Sequence, residues 1–522
     1  MRDRIWLLGS MAVCAAVALI VILYAQITNF NDSAIYMSLG EHLARGHGYH
    51  SSLHVFHDLI QPPLYPIAIA LGSLVTTPLV SAIAVTMLSW ALTIPALVRI
   101  HRGLFGERGW RVVAASAAVY PMLSLSGFLG VEPPFLCLTA WAVAFGLEAI
   151  ESATLRPGVL AGMFVGLSIL TRPEGILTVA VLGVLALVRR RFKPLLAAAV
   201  VVTVLVAPYG LFLRSQLGYF TIVPKVDYNR PLAEILRRLD WPPDQASMPR
   251  RDERAGYALM PDHKTFVLEY AFTHPEFDPL TQFPISHQDV KTSRLRDAAA
   301  AGRLAVWAGV KQYGFWNPLA LLLIGLALWR RPRARGLALA AVVATFLVPA
   351  LSSALNFEER FLVVSAVFSL NLVGGGLASL EDWVARRVPW RPLVPALVVG
   401  VYALFLLRSI PHIDRDRERR FEERCVQVIP SGARILDHRA RCAVLTRNAF
   451  FALPYVDDMK TLTDYIANED IDYAVFDEAT NAKSPSAVIR NLHDPTSWPP
   501  AWKLVTALEW QDGTSTRFVK VR

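Results

Sequence analysis

Residues 5–27 read IWLLGSMAVCAAVALIVILYAQI, and residues 30–36, close behind them, read FNDSAIY. The first stretch carries no charge and exceeds the roughly 20 apolar residues that a helix needs to cross a bilayer. Arg2 and Arg4 precede it, as in a signal peptide. The apolar run outlasts the usual h-region, however, and LYAQIT lacks the small-x-small pattern of a cleavage site. It reads as a retained anchor, with the carboxylate Asp32 placed at its exit.

The rest of the chain agrees with a membrane setting. Of 522 residues, 54% are hydrophobic and only 18% charged, against about 25% charged in soluble domains. The mean hydropathy is +0.39. The net charge of +10 would suit nucleic acid in a soluble protein. Here the arginines gather at the ends of apolar runs, which orients spans in a bilayer; no nucleic-acid partner is expected.

Apolar stretches predict spans near 5–27, 79–98, 111–130, 134–150, 158–171, 175–188, 194–213, 315–329, 336–352, 361–380 and 392–410. The fold class is thus a polytopic α-helical membrane protein with about eleven transmembrane helices. Segment 62–78, PPLYPIAIALGSLVTTP, is short and flanked by proline. Left out of the count, it puts Arg189, Arg190, Arg191 and Lys193, and also Arg330, Arg331, Arg333 and Arg335, on the side of the N-terminus. The short loops on the other side then hold only Arg45, Arg172 and Arg360. By the positive-inside rule the N-terminus is cytoplasmic, the protein is a multi-pass protein of the inner (plasma) membrane, and 62–78 lies on or dips into the outer face.

Three polar regions then lie outside: 28–78, roughly 214–314, and everything after 411. The expected division is a transmembrane domain over 1–410 and a small extracytoplasmic α/β domain over 411–522. In the latter, ARILDH, CAVLT and DYAVFDE read as strands and DDMKTLTDYIANE as a helix. WKLVTALEW and STRFVKVR flank QDGT as a hairpin. An oxidising compartment makes a Cys425–Cys442 disulfide an expectation, with two buried thiols as the alternative.

The outside loops near the membrane carry few ionisable groups. Asp32 and Glu132 sit at consecutive outer span ends, each beside apolar residues. Such surroundings raise a carboxyl pKa toward that of a general base, and two carboxylates can share a divalent cation such as Mg or Mn. His54 and His57, spaced i, i+3 as on one helix face, are candidate metal ligands. Arg172, Lys225 and Arg360 are the cations that could meet a phosphate at headgroup height.

The ordered set FNDSAIY, QPPLYP, VEPPF and LTRPEG resembles the GT-C membrane glycosyltransferases, the superfamily of the protein O-mannosyltransferases and the lipid A aminoarabinose transferases. The resemblance covers roughly residues 1–410. It implies a sugar donor on a polyprenyl-phosphate carrier, used at the outer membrane face. It implies an acid after the first span, here Asp32; a PPL stretch, here Pro62-Pro63-Leu64 with Tyr65; and an acid before proline, here Glu132. Gln61 stands where members often have His or Lys, and with Tyr65 falls in the implied substrate-binding set. The IVPK segment brings forward Lys225, and an arginine-aromatic pair brings forward Arg360. A single Asp32 stands where protein O-mannosyltransferases have an acidic pair. The implied activity is inverting transfer of a hexosyl or pentosyl group to an envelope glycan, lipid or protein, with Asp32 as base and Glu132 positioning the acceptor or binding metal.

Two rival readings have their own signatures. A transporter or flippase of an envelope precursor places ionisable groups near the bilayer midplane, whereas here the acids cluster at span ends. A scaffold presenting the C-terminal domain would leave both the many spans and the long first loop without a role.

Overall fold

The structure is a computed structural model that describes residues 2–25, 31–54, 57–107, 109–119, 121, 130–224, 227–228, 258–277, 318–330, 363–384, 400, 415–482, 484 and 486–522. The helices of its first half are α1 (Arg2–Ala25), α2 (Asn31–Ala44), α3 (Leu64–Ser73), α4 (Pro78–Phe105), α5 (Trp110–Val119), α6 (Glu132–Ser152), α7 (Leu155–Ile169), α8 (Ile176–Val188) and α9 (Phe192–Leu217). The chain forms two compact units: Met1–Ile27, Pro62–Ile222 and Leu295–Pro411 make one, and Thr28–Gln61, Val223–Arg294 and His412–Arg522 the other.

The first unit is helical. Among the described residues, the segments Asp3–Leu23, Pro78–Phe105, Glu132–Ser152 and Phe192–Leu217 are long and apolar enough to cross a membrane. Shorter apolar helices include Leu64–Ser73, Trp110–Val119 and Leu155–Ile169. The expected spans at 336–352 and 392–410 fall outside the described residues, Gly400 apart, as do 122–129 of the span at 111–130. Segment 62–78 forms α3 and then the start of α4. Thr77 divides the two, its Oγ1 accepting from Val80 N–H at 3.3 Å as an N-cap, with Pro78 in the first turn, where its missing N–H costs nothing.

Small residues let α7 and α9 approach closely. A Cβ on Gly158 would lie 2.6 Å from the Pro194 carbonyl oxygen, and one on Gly162 would lie 2.5 Å from that of Ala198. This i, i+4 glycine pair is the small-xxx-small device of membrane helix packing. The opposite face of α9 exposes Leu196, Val200, Val204 and Leu211, an apolar surface suited to lipid and costly in water.

The second unit is α/β. Its strands are β1 (Leu53–His54), β2 (Arg434–Asp437), β3 (Ala449–Ala452), β4 (Tyr473–Asp477), β5 (Lys503–Glu509) and β6 (Ser515–Lys520), in the order β1-β3-β2-β4-β6-β5. The first four run parallel, and β6 pairs antiparallel with β4 and β5. β2, β3 and β4 each carry three consecutive buried residues, the pattern of strands covered on both faces. Phe450, Phe451, Phe476 and Phe518 fill the core, which Ala34, Ile35 and Leu39 of α2 join.

ARILDH and DYAVFDE form the expected strands β2 and β4, and the QDGT hairpin joins β5 to β6, with Gly513 at φ +79°. Asp458 caps the expected helix, now Met459–Asn468. CAVLT is a correction: it is the helix Arg441–Thr446, not a strand. A run of that length has no period to separate the two. Its Cys442 is disulfide-bonded to Cys425 of the helix Arg415–Val428. Strands β1 and β3 were not foreseen; β1 comes from the first polar loop.

Candidate functional site

Glu132 opens α6, and Pro133-Pro134 follow it. Prolines fit a helix start, where the first N–H groups have no intrahelical partner. The carboxylate lies at the positive end of the helix dipole. After α7, Arg172 turns extended, at φ −148° and ψ 135°, as the residue before Pro173 must. Its N–H donates to Ser168 O at 2.8 Å, and Gly175 N–H donates to Arg172 O at 3.0 Å, closing the turn Pro173–Gly175. At Gly175 a Cβ would sit 2.6 Å from Ser168 Oγ, so glycine is what lets the turn fold back on α7.

These two local structures bring the side chains together. Arg172 Nη1 donates to Glu132 Oε1 at 2.7 Å, Nη2 to Glu174 Oε1 at 2.9 Å, and Nε to Glu174 Oε2 at 3.4 Å. The Arg172 and Glu132 side chains are each 8% exposed. The guanidinium also lies 5.8 Å from the centre of the Phe135 ring. Leu64 N–H donates to Leu170 O at 3.0 Å, tying the PPLYP segment to the same turn. Tyr65 is buried beside Thr86 and within electrostatic reach of Glu132. Three stretches of the first unit thus contribute to one array of two carboxylates, one buried guanidinium and one buried phenol. Glu132 and Arg172, named from the sequence for different roles, meet here as an ion pair, and Glu174 of the same TRPEG motif completes the contact.

The other expected residues are placed differently. Asp32 lies half-buried in the first turn of α2 and belongs to the second unit. Gln61, 1% exposed, also belongs there. Its carbonyl accepts from Tyr49 Oη at 2.7 Å, and its Oε1 is buried with no hydrogen-bond partner among the described residues. Lys225 and Arg360 lie outside the described residues.

The helix-face reading of His54 and His57 is corrected. His54 is in strand β1, and His57 is an extended cap whose Nδ1 accepts from Leu59 N–H at 3.3 Å. Leu53 and His54 pair with Phe450 and Phe451 of β3 instead of forming a helix, so the i, i+3 spacing carries no common face. Burial holds the His57 pKa below the ordinary histidine value. Among the described residues no three His, Cys, Asp or Glu side chains gather as a metal site, and Glu132 is committed to Arg172.

Residues 60–212 match the family described as dolichyl-phosphate-mannose-protein mannosyltransferase. No curated protein sequence matches the chain. Among solved structures, ArnT from Cupriavidus metallidurans in the apo state is similar at 15% identity and a TM-score of 0.58, over 100% of this chain and 99% of that one. The same enzyme bound to undecaprenyl phosphate gives 12% identity and a TM-score of 0.56, over 99% and 98%. The Archaeoglobus fulgidus oligosaccharyltransferase in complex with Zn and sulfate gives 13% and 0.53, over 97% of this chain and 72% of that one. At these identities the likeness is one of fold. The chain shares the fold of these solved structures, and its segment 60–212 matches the mannosyltransferase family model.

Proposed function

We propose that this protein transfers a sugar from a polyprenyl-phosphate carrier to a cell-envelope acceptor, a glycan, lipid or protein, at the outer face of the inner membrane. The observation that carries the reading is that the family-matched segment, 60–212, contains every member of the array Tyr65, Glu132, Arg172 and Glu174. A solved relative of the same fold is bound to undecaprenyl phosphate, which supports a lipid-linked donor.

In the proposed reaction the acceptor oxygen attacks the anomeric carbon as the bond from that carbon to the phosphate oxygen breaks. The electron pair leaves with the polyprenyl phosphate, and the acceptor proton passes to the Asp32 carboxylate. The transition state is oxocarbenium-like, and single displacement inverts the centre. The leaving phosphate is an anion and needs positive charge, not a protonating acid. Arg172 is already gripped by two carboxylates, so its part is to hold Glu132 rigid toward the acceptor. The leaving charge then falls to Lys225 and Arg360, and Gln61 and Tyr65 are assigned to substrate binding. No step is routed through a metal.

The test is carrier-phosphate release by the purified protein in lipid, with a panel of polyprenyl-phosphate hexoses and pentoses and an envelope extract as acceptor. Wild type should release phosphate and Asp32→Asn should not, with unchanged melting. Release by the Asn variant would remove Asp32 as the base; no release by wild type from any donor would refute the transferase reading.

A further inference from the structure

The second unit carries an open cavity that the proposed transfer leaves unused. Its volume is about 710 Å³, within the range of small-molecule sites. Three distant stretches wall it: His42, His57 and Asp58 from the first loop, Lys264 and Glu269 from the middle region, and Glu469 from the C-terminal region.

The walls are held in place. Asp58 Oδ2 accepts from Ser51 N–H at 3.0 Å. Glu469 pairs with Arg434 at 3.3 Å and with Lys264 at 3.7 Å. His57 Nδ1 accepts a backbone N–H, so the neutral ring carries its proton on Nε2 and is a donor there. His42 packs its ring edge against His50, centroids 4.1 Å apart. Burial lowers the pKa of both His42 and His57, keeping them uncharged at neutral pH. Burial raises Asp58 to about 7 and also raises Glu269, which Glu469 pushes further.

The ligand must match this mixture. The one lysine of the lining is already paired with Glu469 and both imidazoles are uncharged, so a phosphate or other anion meets no free positive charge among these lining groups. A cation would meet Lys264 and leave the imidazole and lysine donors without use. A hydroxyl group donates and accepts at once, and a ring of hydroxyls can satisfy donors and acceptors that interleave. We infer that this cavity binds a neutral saccharide unit, and, resting on the transferase reading, that this unit belongs to the acceptor.

The experiment uses the full-length protein in nanodiscs, titrated by calorimetry with methyl glycosides of a hexose, a pentose and an N-acetylhexosamine. At least one should bind saturably. Glu269→Leu should weaken it by about tenfold or more, as when a buried polar partner is lost. Lys264→Met, at an exposed position tolerant of change, should weaken it several-fold with the same melting temperature. Asp32→Asn should bind like wild type. Absence of saturable binding by every glycoside, unchanged binding in both cavity variants, or tighter binding of spermidine or inorganic phosphate would each overturn the inference. Turnover measured in parallel separates the two ideas: binding without turnover keeps the cavity and rejects the transferase, and turnover without binding rejects the cavity alone.

Discussion

Arg172 donates to Glu132 at 2.7 Å across 40 residues of sequence, and both side chains are buried. Glu174 takes the other edge of the same guanidinium. Breaking such a pair by removing one partner strands a buried charge, which costs about 3–5 kcal/mol. Arg172→Met should therefore lower the melting temperature sharply, and adding Glu132→Gln should recover much of the loss. Arg172→Lys should rescue poorly, because an ammonium lacks the fork that reaches two carboxylates. Thermal melts of wild type, Arg172→Met, Glu132→Gln, the double variant and Arg172→Lys in one detergent decide this; additive losses in the double variant would deny the coupling.

The α7–α9 contact makes a steric prediction. Gly162→Leu places a side chain where even a Cβ lies 2.5 Å from Ala198 O. Overpacking of this kind costs about 1–3 kcal/mol or more, so the variant should lose monodispersity on size exclusion. Gly183→Ala in α8 is the control, since nothing lies within 4 Å of its Cβ. Equal behaviour of the two would refute the close approach.

The Cys425–Cys442 disulfide links positions 17 apart. Closing a loop of that size in the unfolded chain is worth about 3 kcal/mol in the chain-entropy account. The double Cys→Ala variant should unfold its α/β unit at lower temperature, and reductant should do the same to wild type but not to the variant. Intact mass before and after alkylation, without reductant, should show Cys425 and Cys442 protected.

At the end of β2, Asp437 and His438 predict opposite pH slopes. Burial raises the Asp437 carboxyl to about 8 and lowers the His438 imidazole to about 4. Between the ordinary carboxyl value and about 8, the folded state keeps a proton that the unfolded state has lost, so Asp437 makes stability fall as pH rises. Between the ordinary histidine value and about 4, the unfolded state binds a proton that the folded state refuses, so His438 makes stability fall as pH drops. Asp437→Asn should thus melt higher than wild type at pH 8, with the gap closing near pH 5. Melting of the full chain across that range tests it; a constant gap would mean the carboxyl is not perturbed.

The sequence by itself determined what periodicity and composition encode. Long uncharged runs became α1, α4, α6 and α9, because a bilayer leaves backbone groups no partner outside a helix. Runs such as DYAVFDE became strands, and the QDGT turn joined the hairpin. The motifs VEPPF and TRPEG marked residues that do meet. Short segments were not decided this way. CAVLT is a helix because it packs beside Arg415–Val428 with its cysteine on the disulfide side, and LH at 53–54 is a strand only because β3 offers an open parallel edge. Which charges pair was also beyond the sequence. Glu132 and Arg172 share no local spacing, and only the folding of α6 and α7 against one another brings a carboxylate and a guanidinium, 40 residues apart, into a water-poor space where each needs the other.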